Sequence, residues 1–392
     1  MYKALLVRFG EISLKGKNRS FFVNKLVENI KGALRETGAY QIEKSYGRIY
    51  LYIEGNPELY IEKLKLIPGI VSISPVAIIE PEIEKIKEMA LKVFDYSVKE
   101  YPATFKVETS RPNKEFPLQS PEISREVGAH LLRNINTRRP EQLKVDVHNP
   151  EHLLSLEIRR DKALVYTESI PGIGGLPVGT SGKGLLLLSG GIDSPVAGWL
   201  SLKRGMTLDA IYFHSFPYTS DRAREKVLDL ARILSKYGGK INLFINHFTD
   251  IQMEIRKKCP PKYTITIMRR MMFRIAEEVA RKNKNLVLVT GESIGQVASQ
   301  TLESINVINE VTNLPVLRPL ISMDKNEIIQ IARMIGTYET SILPYEDCCT
   351  IFVPKHPVTR PNLRDTLEAE KDLEIEKLIA ESMEKSETVV IE

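Results

Sequence analysis

Residues 184–195, Gly-Leu-Leu-Leu-Leu-Ser-Gly-Gly-Ile-Asp-Ser-Pro, decide how the rest of the chain is read. Four leucines closed by a Ser/Gly turn and then Pro195 have the pattern of a buried strand, a loop and a helix. Ser189, Gly190 and Gly191 let the backbone turn tightly against an anion, and the first free amides of a helix starting near Ser194 point back into that turn. Pro195 suits the first helical turn, where no amide donor is needed. The pattern predicts a phosphate cradle. Two commoner nucleotide motifs are excluded by reading. A Walker loop ending at Gly182-Lys183 would need glycine where Pro177 stands and a hydroxyl where Gly184 stands, and a G-x-G-x-x-G beginning at Gly172 also runs into Pro177.

Downstream of Gly184, strand and helix patterns alternate. Strands are expected at 185–188, 207–214, 241–246, 285–290 and 316–321, and helices at 194–204, 221–236, 263–282, 298–306, 324–335 and 365–384. Such alternation predicts an α/β unit with a doubly wound parallel sheet. Ligands of such sheets sit at the carboxyl ends of the strands, so those ends are the places to search.

The hexapeptide Ser189-Gly190-Gly191-Ile192-Asp193-Ser194 resembles the pyrophosphate loop (PP-loop) of the N-type ATP pyrophosphatases. The resemblance implies cleavage of ATP between its α and β phosphates and adenylation of a carbonyl oxygen. It also implies that adenine lies against the backbone at Leu187-Leu188 and Tyr212-Phe213, with Phe213 over the base. Arg269, on an expected helix, is then the guanidinium for the polyphosphate, a role suited to a planar donor fork. Gly291, ending the fourth strand, would admit close approach of ribose or adenine, and Gln300 would bond phosphate or sugar.

Asp193 lies inside the loop, where a bare carboxylate repels triphosphate, and Mg2+ held through it resolves the conflict. The bland alternative is an acidic first turn favoured by the helix dipole. Lys325 falls beyond the carboxyl end of the fifth strand, in a turn capped by Ser322 or Asp324. Its ammonium there would meet developing phosphate charge. His214 is expected to be a packed histidine, and Arg270, Arg274 and Arg281 to face solvent.

Upstream, residues 2–9 read as a strand and residues 10–19 as a basic loop. Phe22, Leu26, Ile30 and Leu34 then mark one helix face ending by Gly38, and strands follow near 40–45 and 48–54. A helix over 57–66, a strand over 70–79, a helix over 82–97, a strand over 103–109 and a helix over 121–134 come next. Residues 136–140 read as a basic turn, and strands at 143–148, 153–159 and 163–168 complete an α+β unit. Lys15, Lys17 and Arg19 suit phosphate contact or plain solvation equally. Phe105-Lys106-Val107, Arg111, Val127-Gly128 and Leu156-Glu157-Ile158 resemble the THUMP domain, an RNA-binding module of tRNA-modifying enzymes. That resemblance implies that Arg111, Arg125, Arg133, Arg138 and Arg139 hold the RNA backbone in a salt-dependent way. Residues 170–183, with five glycines and two prolines, read as a linker without regular structure. The expected domains are 1–58 (ferredoxin-like), 59–169 (THUMP), the 170–183 linker and 184–392 (PP-loop).

Charge is unevenly spread. Residues 1–50 hold ten Lys/Arg against four Glu, a net of +6, and residues 365–392 hold ten Asp/Glu against three Lys, a net of −7. A basic front and an acidic tail suit a polyanionic partner that docks far from the C-terminus. No run of 18 apolar residues occurs, and residues 1–8 read as a strand, not a signal peptide, so a cytoplasmic protein is expected. Three cysteines make no disulfide framework. Cys348 and Cys349 sit adjacent in the loop between Pro344 and Pro354, where reactive sulfur fits better than a metal site.

Taken over nearly the whole chain, these features resemble the 4-thiouridine synthetase (tRNA uridine 4-sulfurtransferase) family. The resemblance implies a docked tRNA acceptor end, ATP and Mg2+, and adenylation of O4 of the uridine at tRNA position eight. A persulfide then replaces that oxygen, charged by a cysteine desulfurase and carried on Cys348, whose spacing from Lys325 matches the family pattern. Whether Cys349 or Cys259 resolves the intermediate stays open, as do a homodimer and a role in making the thiazole of thiamine. Many relatives add a rhodanese-like domain where this chain has an acidic helix. The rival readings are an adenylating amidotransferase-type PP-loop enzyme, which leaves the basic half and Cys348 unexplained, and a non-catalytic tRNA-binding protein, against which Asp193, Lys325 and Cys348 count.

Overall fold

The computed structural model describes residues 1–392 apart from Tyr46, residues 346–353 and Lys355. The chain divides into two units, Met1–Gly174 and Gly175–Glu392, the division falling inside the glycine-rich stretch.

The first unit runs β1 (Ala4–Phe9), α1 (Arg19–Ala33), β2 (Tyr40–Ser45), β3 (Arg48–Ile53), α2 (Pro57–Leu64), β4 (Ile70–Ile79), α3 (Ile83–Ser97), β5 (Ala103–Ser110), α4 (Ser120–Arg138), β6 (Leu143–Val145), β7 (His152–Ile158), β8 (Ala163–Tyr166) and β9 (Ile170–Pro171). Its strands form one sheet in the order β2-β3-β1-β4-β8-β7-β5-β6, with β9 on β4. Continuity comes from β4. Its first seven residues, Ile70 to Val76, run antiparallel to β1, and its last three, Ala77 to Ile79, pair with β8. The first six elements have the βαββαβ order of a ferredoxin-like fold. Alternation along β1 and β4 and the 3.6-residue period of α1 put Leu5, Val7, Leu26, Ile30 and Ile73 into one core. Phe94 of α3, Phe105 of β5 and Leu131 of α4 share a second core.

Two expectations fail here. Residues 136–138 are the last turn of α4, not a free turn. The helix persists until Pro140 stops it, because Asn136 folds its amide onto Leu143, donating to the carbonyl at 3.0 Å and accepting from the amide at 2.9 Å. The linker is also less irregular than its composition suggests, since Ile170–Pro171 pairs with Ser72 and Ile73.

The second unit runs β10 (Lys183–Leu187), α5 (Asp193–Lys203), β11 (Thr207–His214), α6 (Asp221–Gly238), β12 (Ile241–His247), α7 (Thr249–Lys258), α8 (Thr264–Lys282), β13 (Val287–Val289), α9 (Leu302–Asn309), β14 (Val316–Leu317), α10 (Lys325–Met334), α11 (Tyr338–Ser341), α12 (Leu363–Glu370), α13 (Ile375–Glu384) and β15 (Glu387–Ile391). The sheet order is β14-β13-β10-β11-β12-β15. The first five strands are parallel, as expected of a doubly wound sheet, and β15 closes the edge antiparallel to β12. Strand order reverses between β10 and β13. The crevice outside their carboxyl ends is therefore the ligand position of this topology.

Three expected elements differ, and two elements were not expected. The strand over 316–321 stops at Leu317, because Arg318 leaves the ladder and Pro319 has no amide to continue it. The helix over 298–306 starts at Leu302, where Thr301 caps it by accepting from the amide of Ser304 at 3.1 Å. The helix over 365–384 breaks into α12 and α13, and α7 and β15 were not anticipated. Among the described residues no helix is long and apolar enough to cross a membrane.

Candidate active site

At the carboxyl end of β10 the chain turns through residues 188–192 into α5, and Ser194 ties the turn to itself. Its Oγ accepts from the Ser189 amide at 2.9 Å and lies 3.1 Å from the Ser189 hydroxyl, while the Gly191 amide donates to Ser189 Oγ at 3.2 Å. Beneath Gly190 runs the side chain of Lys226, whose Cδ would lie 3.3 Å from an added Cβ. Lys226 is 5% exposed and donates to the carbonyl of Leu343 at 2.9 Å, and Ser341 donates to the carbonyl of Gly191 at 3.3 Å. The loop is thus tied to the chain just ahead of Pro344.

An open pocket lies in front of this turn. Leu187, Leu188, Ser189, Asp193, Ser194, Tyr212, Phe213, Arg269, Gly291 and Gln300 line it together. Gly190 and Gly191 shape the loop without lining the pocket. Phe213 also packs edge-to-face on Phe248, centroids 5.2 Å apart. Gly291 lines the pocket and serves the fold as well. An added Cβ would stand 2.7 Å from the Ser194 amide nitrogen and 2.8 Å from the Asp193 carbonyl carbon, so this glycine also permits close approach of the first turn of α5.

Lys325, the first residue of α10, reaches across to Asp193, its ammonium 2.6 Å from Oδ1. The other oxygen, Oδ2, accepts from Gln296 Nε2 at 2.9 Å. Asp324, of the two candidate caps, holds the helix start by accepting from the amides of Asn326 at 2.7 Å and Glu327 at 3.0 Å. Among the described residues no group of three or more His, Cys, Asp or Glu forms a protein cage for a metal. A lone carboxylate such as Asp193 fits Mg2+ only in the mode where substrate phosphates supply further ligands.

The pocket also contains a residue the sequence did not single out. Glu292, 2% exposed, lines it two residues beyond Thr290. Burial alone would raise its pKa, but the guanidiniums of Arg269 and Arg318 hold it below the ordinary carboxylate value. A charged residue just past a parallel strand was the available signal.

The expectation for Arg270 and Arg274 is overturned. Arg270 is fully buried and grips Glu370 with Nε at 3.1 Å and Nη2 at 2.9 Å, and Arg274 binds the same carboxylate at 2.7 Å. Helix α12 folds back over α8, and this return, invisible in local sequence, covers them. Burial opposes ionisation of Glu370, yet the two arginines keep its pKa low. Arg281 stays at the surface, paired with Glu277 one helical turn away.

His214 is a half-buried packed residue whose pKa is lowered, first by burial and then by Arg224, so the ring is neutral near pH 7. Cys259 is 6% exposed, and burial, aided by Glu370 and Asp372, pushes its thiol up to about 11. A thiol so placed is a weak nucleophile at neutral pH. Cys348 and Cys349 lie outside the described residues.

In the first unit, Lys15 pairs with Glu11 at 3.5 Å and lies over the ring of Phe22, while Lys17 is exposed and Arg19 half-buried. Arg125 and Arg133 stand exposed on α4. Arg111 instead donates to the carbonyls of Lys114 at 3.0 Å and Phe116 at 2.9 Å, closing its own loop. Arg138 is held by both oxygens of Asp95, and Arg139 stacks 4.4 Å above the ring of Tyr101.

Comparison with known proteins follows this geometry. Residues 4–74 match the ThiI ferredoxin-like domain, 80–168 the THUMP domain and 179–375 the thiamine biosynthesis protein (ThiI) family. A probable tRNA sulfurtransferase of Halothermothrix orenii is 62% identical over 100% of this chain and 99% of its own, and that of Moorella thermoacetica is 52% identical over 100% and 98%. Among solved structures, a 4-thiouridine synthetase–RNA complex with bound ATP superposes with a TM-score of 0.92 at 40% identity over 100% of both chains. A Pyrococcus horikoshii protein gives a TM-score of 0.66 at 28% identity, covering 86% of this chain and 100% of its own. A family model spanning half of the chain, with relatives more than 50% identical along all of it, establishes that the chain belongs to the thiamine biosynthesis protein (ThiI) family.

Proposed function

We propose that the protein is an ATP-dependent tRNA sulfurtransferase that makes 4-thiouridine. The observation that carries this reading is the meeting of Asp193 and Lys325 at the mouth of the Ser189–Ser194 turn, beside the open pocket that Arg269, Gly291 and Gln300 also line.

In this reading the pocket takes ATP, with adenine against Leu187-Leu188 and Tyr212-Phe213 and the phosphates over the turn and Arg269. Asp193 is the residue that would hold Mg2+, which supplies charge neutralisation for the polyphosphate. The O4 oxygen of the uridine at tRNA position eight attacks the α phosphate, and pyrophosphate leaves. Lys325 is placed to offset the charge that builds on the phosphates. A persulfide on Cys348, charged by a cysteine desulfurase, then attacks C4. The C4–S bond forms, the C4–O bond breaks and AMP departs with the original oxygen. A second thiol then attacks Cys348 Sγ, the S–S bond breaks to release 4-thiouridine, and the disulfide left behind is reopened by an external thiol reductant. The two β-rich pieces expected at 1–58 and 59–169, joined through β4, hold the acceptor end of tRNA by backbone-directed contacts of Lys15, Lys17, Arg19, Arg125 and Arg133.

The test is incubation with unmodified tRNA, ATP, Mg2+ and a desulfurase with cysteine. The expected products are AMP and thiolated uridine in equal amounts. Their joint absence would contradict the reading, whereas a Cys348→Ala protein that still releases AMP without thiolation supports the division of roles.

A further inference from the structure

Glu292 is among the most deeply buried carboxylates of the second unit, and its donors converge from different places. Its Oε1 accepts from Arg269 Nη2 at 2.5 Å, and its Oε2 accepts from Arg318 Nε at 2.7 Å and from Thr290 Oγ1 at 2.9 Å. Arg269 comes from α8, Arg318 from the residue after β14, and Thr290 from the end of β13. Arg318 is anchored in its turn by Asn309 Oδ1 at 3.1 Å. One carboxylate between two guanidiniums leaves this corner of the pocket with a net charge of +1, so Glu292 does not repel an anion there.

Arg269 is the member that lines the pocket, and its Nε is buried with no hydrogen-bond partner among the described residues. A buried donor without an acceptor is costly, and a guanidinium clamped at Nη2 cannot turn to find one elsewhere. Because Arg269 lines the pocket, a ligand there can supply the acceptor. For a guanidinium edge the fitting chemistry is a phosphate oxygen.

We propose that Glu292 is a positioning residue, which with Arg318 behind it fixes the guanidinium of Arg269 so that the free Nε–H meets a phosphate oxygen of the bound nucleotide. This inference rests on the proposed use of ATP but not on the sulfur chemistry.

A double-mutant cycle on the full chain tests it, with ATP affinity read by calorimetry and AMP formation read kinetically. Arg269→Met is expected to weaken ATP binding about tenfold or more, the loss of one charge-assisted contact. Glu292→Gln is expected to weaken ATP binding by a similar factor, showing in KM for ATP more than in kcat. In Arg269→Met/Glu292→Gln the loss should be no larger than in Arg269→Met alone, because Glu292 acts through the arginine. Losses that multiply, or a Glu292→Gln protein with wild-type ATP affinity, would overturn the proposal. Should Glu292→Gln fail to fold, Glu292→Asp keeps the charge and shortens the reach. It should still fold, with a lowered melting temperature, and bind ATP more weakly, and unchanged binding in that variant would equally overturn the proposal. A wild-type protein that binds ATP without thiolating tRNA would remove the reaction and leave this inference standing.

Discussion

The ammonium of Lys325 and the carboxylate of Asp193 sit 2.6 Å apart although 132 positions separate them in sequence. At that distance each compensates the other, and each becomes available once phosphates and a cation enter. Replacing Lys325 by Ala should therefore cut the rate of AMP formation by roughly 10²–10³, the usual cost of losing one preorganised charge, with ATP binding affected less. The cysteines give a second prediction at this scale. With its thiol pushed up to about 11, Cys259 should resist iodoacetamide in the native protein at pH 8 and react only after denaturation, as mass spectrometry of the labelled peptides would show. Acid stability gives a third. Glu292 and Glu370 have folded-state pKa values below the ordinary carboxylate value, so the unfolded chain binds more protons in that range. Their contribution is complete above the unfolded carboxylate value of about 4.3 and disappears as pH falls through the folded values. The melting temperature should thus hold from neutral pH down to that point and fall below it. Glu370→Gln, which leaves Arg270 buried and poorly paired, should cost about 3–5 kcal/mol at pH 7 in a denaturant titration.

Elements with strong periodicity were legible in the sequence, and the site inherited that legibility. The buried strand of four leucines, the turn after it and Pro195 required nothing from the rest of the chain, so β10, the loop and α5 were placed from local physics alone. What sequence could not supply is who meets whom across the fold. Gly291 was read as room for a ligand, and the fold also uses it as room for α5. Gly291→Ala should push the end of β13 off that helix and abolish ATP binding in calorimetry, since the intruding Cβ meets backbone atoms that cannot swing aside. Arg138 and Arg139 were read as a free basic turn and are instead committed to Asp95 and Tyr101. Alanine at either should change RNA affinity less than twofold. Alanine at Arg125 or Arg133, exposed on the same helix, should weaken RNA binding at every sequence and lower the slope of log K against log salt by roughly 1 each. Strand β15 escaped notice because five residues at a half-exposed edge are too short to carry a clear pattern, and Glu292 because its place just past a strand does not by itself tell a buried glutamate from a surface one.

For the molecule as a whole, the division of charge and the division of chemistry coincide. The basic surplus lies at the front, in a unit whose sheet is continuous through β4, and the pocket beside the Ser189–Ser194 turn lies in the unit that ends in the acidic tail. The proposed reaction turns on one bond, from the O4 oxygen of a tRNA uridine to the α phosphate of ATP. Labelling that oxygen reads the bond directly. The protein would be given tRNA carrying 18O at O4 of the target uridine, with ATP, Mg2+ and a persulfide donor, and the released AMP examined by mass spectrometry. The account predicts one 18O atom in each AMP formed. Unlabelled AMP accompanied by thiolated tRNA would contradict it.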